Sequence, residues 1–245
     1  MAKHLCIDCG NTRVKAAIVD GGEVLSRTTS RLTDSEPIVA FATSHRVSAA
    51  MLVSTTDADA ALAEALSAAL PCRLERLTAS RPLPLQMGYR TPGTLGPDRI
   101  APAVGAWGEY TCCNLLVVDA GTAITIDVVL AGGVLLGGSI SPGVTMRLKS
   151  LHDHTSRLPL VDTEGDVPLV GYDTTTALRS GAVLGAAAEI DTQAYRLRST
   201  LGQLKVLITG GDAELLLPHL TTADVTHESD LLAKGADVLL RYNQE

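Results

Sequence analysis

Aromatic residues are scarce in this chain: one Phe, one Trp and five Tyr among 245 residues, 3% in all. A core without large rings must be filled by Ala, Val, Leu and Ile, which suits α/β layers with close helix–sheet approach. The 46% apolar content is enough for one large core or two small ones. A basic surface is also missing. The formal charge of −7 argues against a general nucleic-acid or anionic-membrane surface, so neither is expected as a partner. A small anionic ligand stays compatible, because local cations and backbone amides can outweigh net charge.

There is no disulfide framework to read. Cys6, Cys9, Cys72, Cys112 and Cys113 are odd in number and irregularly placed, which fits a reducing compartment. Cys6-x-x-Cys9 has no second CxxC, so small buried residues in a strand are a simpler reading than zinc or redox chemistry. Asp8 arrives before any apolar run long enough for a signal peptide, and a cytoplasmic location is expected. One uncharged stretch, Val128–Met146, has the length of a membrane span. Its Gly132-Gly133, Gly137-Gly138 and Pro142-Gly143 read instead as turns between short strands. Neither a G-x-x-x-x-G-K-[ST] phosphate loop nor a G-x-G-x-x-G fingerprint occurs.

What is present is a repeat. Ile7-Asp8-Cys9-Gly10-Asn11-Thr12 returns as Val118-Asp119-Ala120-Gly121-Thr122-Ala123, at an offset of 119 − 8 = 111. Each copy ends an apolar run on an aspartate, turns on glycine, and resumes apolar residues toward Gly21-Gly22 or Gly132-Gly133. An aspartate beside a tight glycine turn offers a carboxylate for a hydrated divalent cation and bare amides for phosphate oxygens. Asn11, Thr12 and Lys15 add donors and charge to the first copy.

Strand-like runs lie at Leu5–Asp8, Val14–Val19, Glu23–Thr29, Met51–Ser54, Leu115–Asp119, Ile124–Leu130, Val134–Ile140 and Lys205–Thr209. Helical patterns cover Asp57–Leu70, Thr174–Leu201 and Ser229–Tyr242. Strand triplets followed by helices, occurring twice, predict an α/β duplication with mixed sheets flanked by helices and a cleft between two halves, 1–113 and 114–245. The Pro- and Gly-broken segment Arg81–Gly96 reads as a loop shaping a site. It leads into Gly96-Pro97-Asp98-Arg99 and a helical Ile100–Tyr110. Asp98 is there a candidate helix N-cap and a candidate proton acceptor, with Arg99 beside it suited to an anion. His152-Asp153-His154 invites a metal reading, but three adjacent residues cannot all face one ion, and a polar turn is the simpler reading.

In order and spacing, these residues resemble the type III pantothenate kinases of the acetate and sugar kinase, heat-shock chaperone and actin superfamily. The likeness runs through Asp8-Cys9-Gly10-Asn11-Thr12-Arg13-Val14-Lys15, Gly88-Tyr89, Gly96-Pro97-Asp98-Arg99 and Asp119-Ala120-Gly121-Thr122-Ala123. It continues through Gly137-Gly138-Ser139-Ile140-Ser141-Pro142-Gly143, Gly171-Tyr172-Asp173-Thr174 and Thr209-Gly210-Gly211. The resemblance implies two ribonuclease H-like, actin-like ATPase domains. It also implies transfer of the ATP γ-phosphoryl group to pantothenate, giving 4'-phosphopantothenate, the first step of coenzyme A synthesis.

Carried over by position, Asp8, Cys9, Gly10, Asn11, Thr12, Arg13, Val14 and Lys15 would form the first ATP phosphate segment, with Asp8 near Mg²⁺. Asp98 would accept the hydroxyl proton. Tyr89, Gly96, Pro97, Asp98 and Arg99 would line the pantothenate pocket. Asp119 would hold a monovalent cation, K⁺ or NH₄⁺, and Thr122 would touch ATP. Thr174 matches a threonine reaching pantothenate from a neighbouring subunit, which implies a homodimer with its active site near the interface. Thr175 and Thr176 are rival positions for that contact. Tyr172 and Asp173 depart from the basic and amide residues expected before Thr174. A related small-molecule kinase and a non-catalytic accessory regulator of gene expression are the alternatives.

Overall fold

The computed structural model describes residues 2–10, 13–55 and 60–242. The chain forms two compact units, one of residues 1–111, 131–136 and 230–245, the other of residues 112–130 and 137–229. The first is built on a five-stranded sheet, and the second repeats that plan with five strands of a six-stranded sheet.

In the first unit, β1 (Lys3–Cys9), β2 (Arg13–Asp20) and β3 (Glu23–Arg31) make an antiparallel meander. β4 (Ala49–Ser54) joins β1 in parallel, and β5 (Leu74–Arg76) joins β4, giving the order β3-β2-β1-β4-β5. Central β1 and β4 are buried along most of their length, as strands covered on both faces must be, whereas β3 alternates at the edge. Leu5, Ile7, Val14, Ile18 and Leu52 pack with Ile38 of α1 (Glu36–His45) and with Leu62 and Leu66 of α2 (Ala60–Ala69). α3 (Pro97–Glu109) and the C-terminal α7 (Leu231–Tyr242) complete this unit.

The second unit repeats the plan with β7 (Asn114–Ala120), β8 (Ala123–Leu130), β9 (Val134–Pro142), β10 (Leu204–Thr209) and β11 (Val225–His227), in the order β9-β8-β7-β10-β11. β7 again pairs antiparallel with the strand after it and parallel with the next one in the sheet. α4 (Val144–Asp153), α5 (Thr174–Leu201) and the short α6 (Ala213–Leu216) pack on it. α5 buries Leu178, Ala182, Val183, Ala186, Ile190 and Ala194, a helical stripe that runs on through Gly181 and Gly185. Val128–Met146, the uncharged stretch, is the end of β8, a turn, β9 and the start of α4. No helix among the described residues is long and apolar enough to cross a membrane.

These units depart from a single cut at 113/114. The C-terminal helix belongs with the first unit because its contacts are there. Gly105 of α3 and Gly235 of α7 bring the two helices into backbone contact, where a Cβ on Gly235 would lie 1.8 Å from the Ala101 carbonyl oxygen. Short β6 (Gln86–Met87) interrupts the expected 81–96 loop by pairing with Val134 and Leu135 at the start of β9.

Candidate active site

In the first unit, β1 delivers Asp8 to the mouth of a hairpin, directly opposite Lys15 on β2. Gly10 closes the turn by donating its N–H to the Arg13 carbonyl at 3.1 Å. Asn11 and Thr12 lie outside the described residues. Cys9 and Val14 have buried side chains and offer only their backbones at the turn, while Arg13 and Lys15 are exposed. Cys6 and Cys9 both lie on β1, neither in a disulfide. Three residues apart on a strand, they point to opposite faces and cannot share an ion. Burial pushes the Asp8 carboxyl above its ordinary value, Lys15 opposes this, and nearby Asp98 adds to it. Two carboxylates thus lie close enough to feel each other in a partly dry site.

Asp98 sits in the first turn of α3 but is not its cap. Gly96 is the N-cap residue, extended at φ −62° and ψ 140°, and Pro97 follows at the first helical position, where its missing N–H costs nothing. The Asp98 carboxylate folds back over Gly96: a Cβ there would lie 2.3 Å from Oδ1. Next along, Arg99 is buried, its guanidinium 5.8 Å from the centre of the Tyr89 ring. Tyr89 is placed by Gly88, whose N–H donates to Leu135 at 2.9 Å. The unit therefore gathers Asp8, Lys15, Asp98, Arg99 and Tyr89 around the C-terminal end of β1 and the N-terminus of α3.

The second unit repeats the hairpin with one residue fewer. Gly121 donates to Ala123 at 3.1 Å, and Asp119 stands opposite Thr125. Thr125, rather than a residue at the constant offset of 111, is therefore the structural counterpart of Lys15, and this hairpin lacks the cation. Two more turns close on it. A Cβ on Gly210 would lie 2.5 Å from Asp119 Oδ1, and one on Gly143 would lie 2.1 Å from the Gly121 carbonyl oxygen. Asp212, which motif reading passed over, links all three: its N–H donates to Ala120 at 2.8 Å and its carboxylate accepts from the Val144 amide that opens α4. Its place directly after Thr209-Gly210-Gly211 was the available signal. Thr122 is exposed at the tip of the hairpin.

Thr174 opens α5, and the structure separates the three threonines. Thr174 and Thr175 are exposed, but Thr176 is buried and takes part in a capping box with Asp173. Of the histidine-rich tripeptide, His152 makes a local bond to Leu158 at the end of α4. No group of three or more His, Cys, Asp or Glu among the described residues is arranged to hold a metal ion.

A sequence model of the type III pantothenate kinases matches residues 4–196. The chain belongs to the type III pantothenate kinase family. A type III pantothenate kinase of Azobacteroides pseudotrichonymphae genomovar. CFP2 is 36% identical over 242 residues, covering 99% of this chain and 98% of that one. One from Porphyromonas gingivalis strain W83 is 36% identical, covering 99% and 100%. Among solved structures, a Campylobacter jejuni protein named as a Baf family transcriptional activator superposes with a TM-score of 0.63 at 22% identity, covering 98% of both chains. A ROK hexokinase from Thermus thermophilus gives 0.54 at 17%, covering 99% and 100%. At such identities the likeness shows the fold alone, a duplicated ribonuclease H-like α/β plan. Membership of the kinase family implies ATP as phosphoryl donor, with a divalent metal.

Proposed function

We propose that this chain phosphorylates pantothenate at the expense of ATP, the first step of coenzyme A synthesis. The observation that carries this reading is the full-length family likeness joined to the grouping of Asp8, Lys15, Asp98 and Arg99 in one unit. The Asp8 hairpin suits ATP phosphates through its turn amides and Lys15. Tyr89 and Gly96–Arg99 suit pantothenate, with Asp98 as the proton acceptor. The Asp98 carboxylate takes the proton of the primary hydroxyl as its oxygen bonds to the γ-phosphorus; the bridging P–O bond breaks and ADP leaves.

The donor set fits the ions such a reaction uses. Asp8 is an acidic group raised by burial and a neighbouring carboxylate, a placement a divalent cation relieves. Bound there, magnesium would neutralise phosphate charge. In the second unit, the Asp119 carboxylate beside the Gly121 turn is a hard oxygen donor that would hold potassium or ammonium, and Thr122, exposed at the hairpin tip, would touch ATP.

We assign a homodimer as the active unit, with Thr174 reaching the partner's pantothenate. Exposed Ile140, Leu160, Leu169 and Val170, at 65%, 64%, 89% and 79%, provide apolar surface for it in the second unit. Five cysteines with no disulfide between them support a reducing, cytoplasmic compartment. The deciding experiment is ATP-dependent phosphorylation of pantothenate by the purified protein, with and without potassium. Product formation that rises with potassium is expected. No product under either condition, or product only from sugars or other carboxylic acids, overturns the reading.

A further inference from the structure

From the end of α4 at Asp153 to the start of α5 at Thr174, the chain runs through residues 154–173 with neither helix nor strand. A connection of that length keeps one shape only if its own contacts hold it. Here they converge on the first two turns of α5. Arg179 is 7% exposed and donates through Nε to the Asp162 carbonyl at 3.2 Å, through Nη1 to the Asp166 carbonyl at 3.3 Å and through Nη2 to Asp162 Oδ1 at 3.3 Å. Ser180 Oγ donates to the Pro168 carbonyl at 2.6 Å, and Tyr172 hydroxyl to Asp166 Oδ2 at 2.9 Å.

Two glycines allow this closeness. A Cβ on Gly165, at φ +110°, would lie 2.8 Å from Arg179 Nη1, and one on Gly171 would lie 2.4 Å from the Ala177 Cα. The last fastening is the cap. Asp173 Oδ1 accepts the Thr176 N–H at 2.8 Å, and Thr176 Oγ1 accepts the N–H groups of both Tyr172 and Asp173 at 3.1 Å. The Thr176 hydroxyl is thereby consumed, leaving those of Thr174 and Thr175 exposed on the turn that Asp173 fixes.

We propose that Asp173 and Arg179 are positioning residues for the acceptor substrate: by clamping residues 162–173 onto α5 they set where the Thr174 hydroxyl stands. The inference rests on the reading of Thr174 as a pantothenate contact. Asp173 acts through the helix rather than on the ligand, since its carboxylate has the wrong sign to attract an anionic substrate. The departure from an amide at this position is then harmless, because Asp and Asn cap equally well.

The test is steady-state kinetics on the full-length protein. Asp173→Ala and the near-isosteric Thr176→Val should raise the KM for pantothenate about fivefold, the factor that one lost cap represents. The KM for ATP should not follow, and Asp173→Asn should restore the pantothenate KM. A working kinase whose pantothenate KM is unmoved by both variants overturns the proposal alone. So does Asp173→Asn as impaired as Asp173→Ala, or an equal rise in both KM values. A wild-type protein that phosphorylates no pantothenate overturns the functional reading and this proposal together.

Discussion

His4 Nδ1 on β1 stands 2.7 Å from Asp237 Oδ1 on α7, across 233 residues of sequence, and both side chains are fully buried. Arg241, one turn on, donates Nε at 3.0 Å and Nη2 at 2.9 Å to the other carboxylate oxygen. The three residues tie the C-terminal helix to the strand that carries Asp8. Asp237→Ala strips the buried imidazole of its partner, while the half-exposed Arg241 guanidinium can turn to water, and should cost about 1–3 kcal/mol. Urea unfolding of the variant and the wild type measures this; an unchanged midpoint would refute it.

The α3–α7 crossing makes a second prediction. Gly235→Ala forces a methyl group against the Ala101 backbone, an overpacking cost of about 1–3 kcal/mol. Because α3 carries Asp98 in its first turn, the shift should lower kcat as well as the melting temperature. Gly181→Ala is the control, since nothing lies within 4 Å of a Cβ there and alanine favours a helix by about 1 kcal/mol. That variant should melt no lower than the wild type.

Asp98→Asn keeps the shape of the α3 entrance but removes the carboxylate proposed as proton acceptor. Turnover should fall by about 10²–10⁴ with ATP affinity nearly intact, the range a positioned general base contributes. Isothermal titration with a non-hydrolysable ATP analogue, beside the kinase assay, separates these quantities. Wild-type turnover would remove Asp98 from its assigned role.

Gly210 holds the Asp119 carboxylate by having no side chain, at a φ of +96° that only glycine adopts easily. Gly210→Ala should raise the half-saturating potassium concentration and the KM for ATP about tenfold, a modest strain of this kind. Gly211→Ala, with nothing within 4 Å of its Cβ, should change neither. Equal behaviour of the two variants would show that the turn does not set Asp119.

Much of the fold was legible in the residues. The run Val14–Val19 is the body of β2, and Thr174–Leu201 is α5 end to end, because apolar periodicity and glycine punctuation are local signals. Helix α1 went unread, its amphipathic pattern being weak, and so did β5, β6 and β11. Those strands are two or three residues long and exist through their partners rather than through any pattern of their own. The candidate site was legible as motifs but not as an arrangement. Asp98 reads equally as a cap or as a reactive group until Gly96 is seen to occupy the cap position.

By itself the sequence determined the repeated strand-turn unit, the short-range chemistry of each glycine turn and the family, since all three are written in residues close together along the chain. Tertiary structure decided the rest. It returned α7 to the first unit through His4 and Gly105, made Thr125 the counterpart of Lys15 by shortening one hairpin, and withdrew Thr176 from the three threonines. Each outcome depends on which distant backbones can approach within hydrogen-bonding or van der Waals distance, and packing sets that where periodicity cannot.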